Sequence, residues 1–263
     1  MRIALGLEYD GAAFSGWQTQ PGGAGVQDAV EAALAAMAGH PVATICAGRT
    51  DAGVHATAQT VHFDTEVARP LQAWVRGVNA HLPASVSVQW SRAVSEEFHA
   101  RFSATARRYD YWLLNAPSRP ALLSRRVGWV FRALDLDAMR EAAPALIGTH
   151  DFTSFRSSQC QARSPLRELR CLEIGRSGRY FRFRIEANAF LHHMVRNIVG
   201  ALIDVGLGRQ SPQWLAQLVA ARDRALGSAT FAAEGLYLTA VRYDARFALP
   251  DAEDGPWPLL PID

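Results

Sequence analysis

Apolar positions along the 263-residue chain follow two rhythms, one of period two and one of helical period. Ile3, Leu5 and Leu7 alternate with smaller or polar residues, as a half-buried strand does. Gly-rich turn material follows through Gly25. From there the spacing lengthens to Val26, Val30, Leu34 and Met37, one face of a helix, which Gly39 and Pro41 stop. A strand is predicted over 42–46, then the loop AGRTDAGVHA. Val61 and Phe63 alternate with His62 and Asp64 in a further strand. Residues 71–79 read as a helix, and Val86, Val88 and Trp90 as a strand. The second half repeats this order. Tyr109, Tyr111 and Leu113 mark a strand. Residues 137–147 mark a helix that Pro144 kinks or ends. Strands over 169–174 and 180–186 are joined by a Gly-rich turn at 176–178. Helices over 191–205 and 212–221 precede a last strand over 236–243.

Each half therefore reads strand-helix-strand-strand-helix-strand, the split βαβ pattern. The expected fold class is α+β, with two such halves side by side forming one mainly antiparallel sheet and a basic cleft. Phe181, Phe183 and Ile185, alternating with Arg182, Arg184 and Glu186, fit a sheet with one polar face. The expected division is 1–105, 106–245 and an acidic, Pro-rich tail over 246–263.

Composition narrows the class. Apolar residues make up 49 % and charged residues 20 % of the chain, enough for a substantial core and too little polarity for disorder. No run approaches the roughly 20 apolar residues that span a membrane, and the apolar run of the N-terminus stops at Glu8, unlike a signal peptide. A cytoplasmic location is expected. Cys46, Cys160 and Cys171 are too scattered for a disulfide framework or a metal site. The net charge is only +2, yet there is no lysine and all 27 cations are arginine. Residues 92–132 hold eight arginines against Glu96, Glu97 and Asp110, and residues 156–184 hold eight against Glu168 and Glu173. The chain from Asp244 carries five acids against Arg246. A nearly neutral total thus hides two basic blocks, which suit a polyanion because guanidinium grips phosphate bidentately and stacks on bases. Arginine on solvated strand faces is the ordinary alternative.

The densest chemical candidate is Ala47-Gly48-Arg49-Thr50-Asp51-Ala52-Gly53-Val54-His55. Its glycines permit a tight turn and close approach to a ligand. On spacing alone, Asp51 reads equally as a local Asx-type turn. Three classes of function follow from the residues: an enzyme acting on RNA, an RNA-binding module without turnover, and a small-molecule hydrolase pairing Asp51 with His55 as base. The last lacks a Ser or Cys nucleophile motif, and no Walker-type loop is present.

AGRTDAGVHA resembles the active-site motif of the tRNA pseudouridine synthase A family. GLEYDGAAFSGWQ, VQDAVEAAL, GVNAHLP, FHARFSATARRYDY, DFTSFR, NAFLHHMVRNIVGAL and EGLYL resemble that family in the same order, over nearly the whole chain. The resemblance implies two ferredoxin-like halves flanking a central cleft, a homodimer, and transfer RNA as partner. It also implies isomerisation of uridine to pseudouridine at positions 38, 39 and 40 of the anticodon stem-loop, with no cofactor and no metal. By the same resemblance Asp51 is the catalytic carboxylate. Arg49 assists extrusion of the nucleotide, which costs a few kcal/mol. Tyr109 stacks on the base, and Arg196 pairs with the aspartate and favours its ionised form. Leu236 and Leu238 line the uracil pocket. Arg69, Phe98-His99-Ala100-Arg101-Phe102 and Gln159-Cys160-Gln161-Ala162-Arg163 are implied tRNA contacts. Each has an ordinary alternative: core for Tyr109, Leu236 and Leu238, a salt bridge for Arg49, a solvated surface for the others. His192 and His193 are adjacent, point apart and lack a ligand partner at metal spacing. Pro117, in Asn115-Ala116-Pro117-Ser118, stands where the family has a basic residue.

Overall fold

A computed structural model describes residues 1–251. The described residues divide into two compact units, Met1–Thr105 together with residues 237–251, and Ala106–Leu236.

The first unit contains β1 (Arg2–Tyr9), α1 (Val26–Ala38), β2 (Ile45–Cys46), β3 (His55–Asp64), α2 (Leu71–His81), β4 (Val86–Val94) and most of β10 (Leu236–Tyr243). Its strands run in the order β4-β1-β3-β10, with β2 also on β3. The β4, β1, β3 and β2 pairings are antiparallel, which is the split βαβ arrangement read from the sequence. α1 begins at Val26, buries Val26, Val30, Ala33 and Leu34, and ends where Gly39 takes a left-handed φ of 79°. α1 and α2 pack on each other, and the Trp74 ring of α2 meets Phe63 edge-on at 5.2 Å.

β1 departs from its expected half-buried character, because Ile3 to Leu7 are buried on both faces. The cause lies in its small residues. Ala4 packs in a cluster with Phe98, Ala100 and Phe247. Gly6 lies beneath the Trp90 indole, and a Cβ there would come within 2.1 Å of ring atoms.

The second unit contains most of β5 (Ala104–Asn115), and β6 (Gly128–Val130), α3 (Leu136–Ala142), β7 (Gly148–Asp151), β8 (Leu166–Ser177), β9 (Tyr180–Ala187), α4 (Met194–Gly206) and α5 (Trp214–Ala221). Its order is β7-β8-β9-β5, with β6 parallel to β5 and the other pairings antiparallel. Pro144 ends the predicted helix: α3 stops at Ala142, and residues Ala143–Leu146 continue as a 3₁₀ turn. Phe181, Phe183 and Ile185 are fully buried and pair with Leu113, Tyr111 and Tyr109 across the β5–β9 ladder. The opposite face is polar, as expected, but it is internally paired. Arg184 grips Asp110 with two bonds of 3.0 Å, and Asp110 is only 1 % exposed.

The last strand, expected to close the second half, groups from Tyr237 with the first unit. Tyr237 and Leu238 run parallel to His55 and Ala56 of β3. The predicted tail begins within the structure as a short 3₁₀ turn, Ala245–Phe247, with Phe247 buried. Its remainder from residue 252 lies outside the described residues. No helix of the described residues is long and apolar enough to cross a membrane.

Candidate active site

Asp51 sits between β2 and β3, on a loop fixed on both sides of the carboxylate. Thr50 C=O accepts from Trp17 N–H at 2.9 Å, and Asp51 C=O accepts from Val54 N–H at 3.1 Å. Thr50 Oγ1 lies 2.8 Å from the buried Tyr9 hydroxyl. The Gln59 side chain donates to Gly48 C=O at 2.6 Å and reaches Tyr9 Oη at 3.4 Å. Gly53 supplies the left-handed turn, with φ of 78°. Gly16, at φ of 99°, lets its segment pass so close that a Cβ would lie 2.7 Å from Thr50 O. The GLEYDGAAFSGWQ segment therefore acts as the loop's clamp. The sequence reading gave Tyr9, Gly16, Trp17 and Gln59 no role. The segment carries three glycines and three aromatics, but spacing does not show which loop they hold.

His55, the first residue of β3, is 2 % exposed. Its Nδ1 lies 3.1 Å from both the Gly11 amide and Asp10 Oδ1, and its ring stacks on Tyr237 at 4.6 Å. The imidazole is thus held as a structural post at the end of the loop. This geometry gives no support to a hydrolase with His55 as base.

Arg49 is exposed and has no ion-pair partner among the described residues, so the salt-bridge alternative has no geometric support. Burial pushes the nearby Cys46 thiol up to about 11, against opposing fields from Arg49 and Arg101. Those two guanidinium groups therefore bear on one residue, and it lies on the strand leading to Asp51. Arg69 is exposed just before Pro70, the N-cap of α2.

The 98–102 segment is split by its environment. Phe98 and Ala100 are fully buried, in the cluster with Ala4 and Phe247. Their side chains are core and anchor the segment. His99 is half-buried, Arg101 is exposed, and Phe102 is 76 % exposed. His99 stacks on Phe102 at 4.3 Å, with the Arg101 guanidinium 5.6 Å from the Phe102 ring centre.

In the second unit, Tyr109 is 8 % exposed and meets Phe190 edge-on at 5.1 Å. Phe190 lies on the segment entering α4, whose first turn carries Arg196. Arg196 Nε donates to Phe231 C=O at 2.8 Å, which fixes the plane of its guanidinium. The Phe231 ring in turn lies 5.7 Å from that of Tyr111. Tyr109 is thus braced by the Phe190 ring, and Arg196 by a carbonyl whose own residue packs on Tyr111. Phe190 and Phe231 were not singled out in the sequence, because isolated aromatics carry no positional signal. The expectation that His192 and His193 point apart is corrected: their rings lie 3.9 Å apart, with His193 taking a left-handed φ of 64° at the start of α4.

Leu236 is 5 % exposed and Leu238 is fully buried. Gln159, Gln161 and Arg163 are exposed, while Cys160 and Ala162 are half-buried. Arg156 holds this turn through a 2.8 Å bond to Cys160 C=O. Much of the second basic block is engaged locally. Arg184 binds Asp110, Arg170 binds Glu168 at 2.9 Å, and Arg176 binds Gly178 C=O at 2.8 Å.

The family model described as tRNA pseudouridine synthase matches residues 7–103 and 142–244. The tRNA pseudouridine synthase A of Bordetella avium (strain 197N) is 56 % identical over 263 residues, covering 99 % of this chain and 98 % of that one. The protein of the same name from Bordetella parapertussis is 58 % identical over 99 % of this chain and 97 % of its own length. That from Dechloromonas aromatica (strain RCB) is 55 % identical over 97 % of each. The chain belongs to the tRNA pseudouridine synthase family.

Proposed function

We propose that this chain converts uridine to pseudouridine in transfer RNA, at positions 38, 39 and 40 of the anticodon stem-loop, with Asp51 as the catalytic carboxylate. The reaction breaks the bond from ribose C1′ to uracil N1 and forms one from C1′ to C5. The C5 proton is lost and N1 gains one, so no redox partner is required. A carboxylate serves this chemistry either by covalent attack or by holding developing positive charge on the sugar. Both attack at C1′ and attack at uracil C6 are consistent with one aspartate.

The observation that carries this reading is the doubly fixed loop. Both the Thr50 and the Asp51 carbonyls are tied down, so the side chain between them is aimed without reorganisation cost. Arg49 is the exposed cation two residues away, suited to a phosphate or to the space left by an extruded nucleotide. Tyr109 offers a ring to the base, Arg196 a positioned guanidinium, and Leu236 and Leu238 apolar walls. Arg69, the 98–102 segment, Gln159, Gln161 and Arg163 are proposed to meet the tRNA, with Phe98 and Ala100 anchoring their segment and Cys160 and Ala162 shaping the turn of the last three. Adjacent target positions call for recognition of backbone and shape more than of one base sequence. Two copies of the chain are proposed to act as a homodimer.

The test is an unmodified tRNA transcript bearing uridine at 38, 39 and 40, incubated with the protein and mapped for pseudouridine. Product at those positions is expected. Product only elsewhere would overturn the site assignment, and tight binding without product would favour an RNA-binding module.

A further inference from the structure

Two imidazoles outside the proposed chemistry meet beside β3. His62 is 2 % exposed, in the middle of the strand, opposite Ile45 of β2 and Ala4 of β1. Its Nδ1 accepts the backbone N–H of Ala100 at 3.1 Å. His99, 5.1 Å away ring to ring, accepts two more: Arg101 N–H at 3.2 Å and Phe102 N–H at 3.1 Å, both on its own Nδ1. An amide can only donate, so Nδ1 is bare in both rings and the ring proton sits on Nε2. Three consecutive backbone donors, at 100, 101 and 102, are therefore satisfied by two neutral imidazoles. A fourth bond, His99 N–H to Ser103 Oγ at 3.0 Å, closes the turn. The turn displays Arg101 and a Phe102 ring that is 76 % exposed.

We propose that His62 and His99 are positioning residues for tRNA. Their unprotonated Nδ1 atoms hold the 100–102 turn so that Arg101 and Phe102 meet the RNA beside the target uridine. This rests on the reading of the 98–102 segment as a tRNA contact. Its place near the chemistry follows from two observations within one unit. His62 faces Ile45, on the strand leading into the Asp51 loop, and Arg101 and Arg49 both bear on Cys46. Phe102 offers a stacking ring and Arg101 a phosphate grip, the pair that single-stranded nucleotides favour.

Protonation would undo this. An imidazolium presents N–H toward the three amide donors, and the bonds become repulsive contacts. The charged groups facing the rings favour the neutral state. Arg2 and His99 act on His62, opposed by Asp64, while Arg2 and Arg101 act on His99. Burial works in the same direction at both rings.

The experiment measures KM and kcat for unmodified tRNA between pH 7.5 and pH 5, by release of tritium from 5-tritiated uridine. His99→Ala removes the acceptor and is expected to raise KM about fivefold or more, with kcat within about twofold. His99→Asn returns an oxygen acceptor near the Nδ1 position and is expected to restore KM. Wild-type KM is expected to climb as the pH falls, and His99→Asn to flatten that climb. Arg101→Ala and Phe102→Ala separate the two layers of the argument. If they raise KM while His99→Ala does not, the positioning role is wrong and the contact reading survives. If neither changes KM, the contact reading is wrong and the proposal falls with it. A His99→Asn variant as poor as His99→Ala would also overturn it. Should His99→Ala fail to fold, the pH profiles decide: parallel curves for wild type and His99→Asn refute the proposal.

Discussion

Gly16 joins backbone strain to catalysis most directly. Its φ of 99° excludes an ordinary side chain, and the missing Cβ leaves room for Thr50 C=O beside Asp51. Gly16→Ala is expected to cost about 1–3 kcal/mol of stability and to lower kcat more than it changes tRNA affinity. Thermal melting and steady-state kinetics check the two parts. His62 gives a pH signature. Burial, with help from Arg2 and His99, lowers its pKa from 6.5 to about 4. The unfolded chain therefore binds the proton first as pH falls. The stability contribution is complete above about 6.5 and is lost progressively down to about 4. The loss is up to about 3 kcal/mol, read by denaturant unfolding at each pH, and His62→Asn is expected to flatten that slope. Asp64, held below its ordinary value by Arg2, adds a separate loss at lower pH. The loop around Asp51 was legible because its glycines, cation and carboxylate are contiguous. The burial of Phe98 and Ala100 was not legible, because alternating aromatics and cations look alike in an exposed arm and in an arm rooted in a core. Only the long-range partners Ala4 and Phe247 separate the two cases, and spacing cannot supply them.

Elements with a long period were readable, and short ones were not. α1 and β10 match their predicted spans closely. β6 and β7, of three and four residues, went unseen because so few positions define no period. β2 shrank to Ile45–Cys46. α4 starts at Met194 rather than at 191, because His193 is left-handed. Eleven residues of that helix are buried, and its close approach to the 228–231 segment depends on Gly200. A Cβ at Gly200 would sit 2.6 Å from Ala229 O. Gly200→Ala is expected to displace this segment, and with it the Phe231 carbonyl that holds Arg196. A stability loss of about 1–3 kcal/mol should appear in thermal unfolding. Activity per folded molecule should fall as well, whereas a purely structural loss would leave it intact.

For the molecule as a whole, charge placement matters more than the net value of +2. Some arginines of the basic blocks are tied into strands, as Arg184 is to Asp110, while Arg49, Arg69, Arg101 and Arg163 remain exposed. If these meet phosphates, tRNA affinity should weaken about tenfold or more between 50 and 200 mM salt, with kcat little changed. A filter-binding titration over that range reads the slope. The paired-half topology was legible because both halves carry the same order of periods. The grouping of β10 with the first unit was not, since strand neighbours are set by long-range pairing. The central claim is that one carboxylate performs the isomerisation. Its most direct test is single-turnover tritium release from 5-tritiated tRNA by Asp51→Asn, which keeps the size of the side chain and removes its charge. The account predicts no release above background while the variant still binds tRNA within about threefold of wild type. Release at a rate near that of wild type would contradict it.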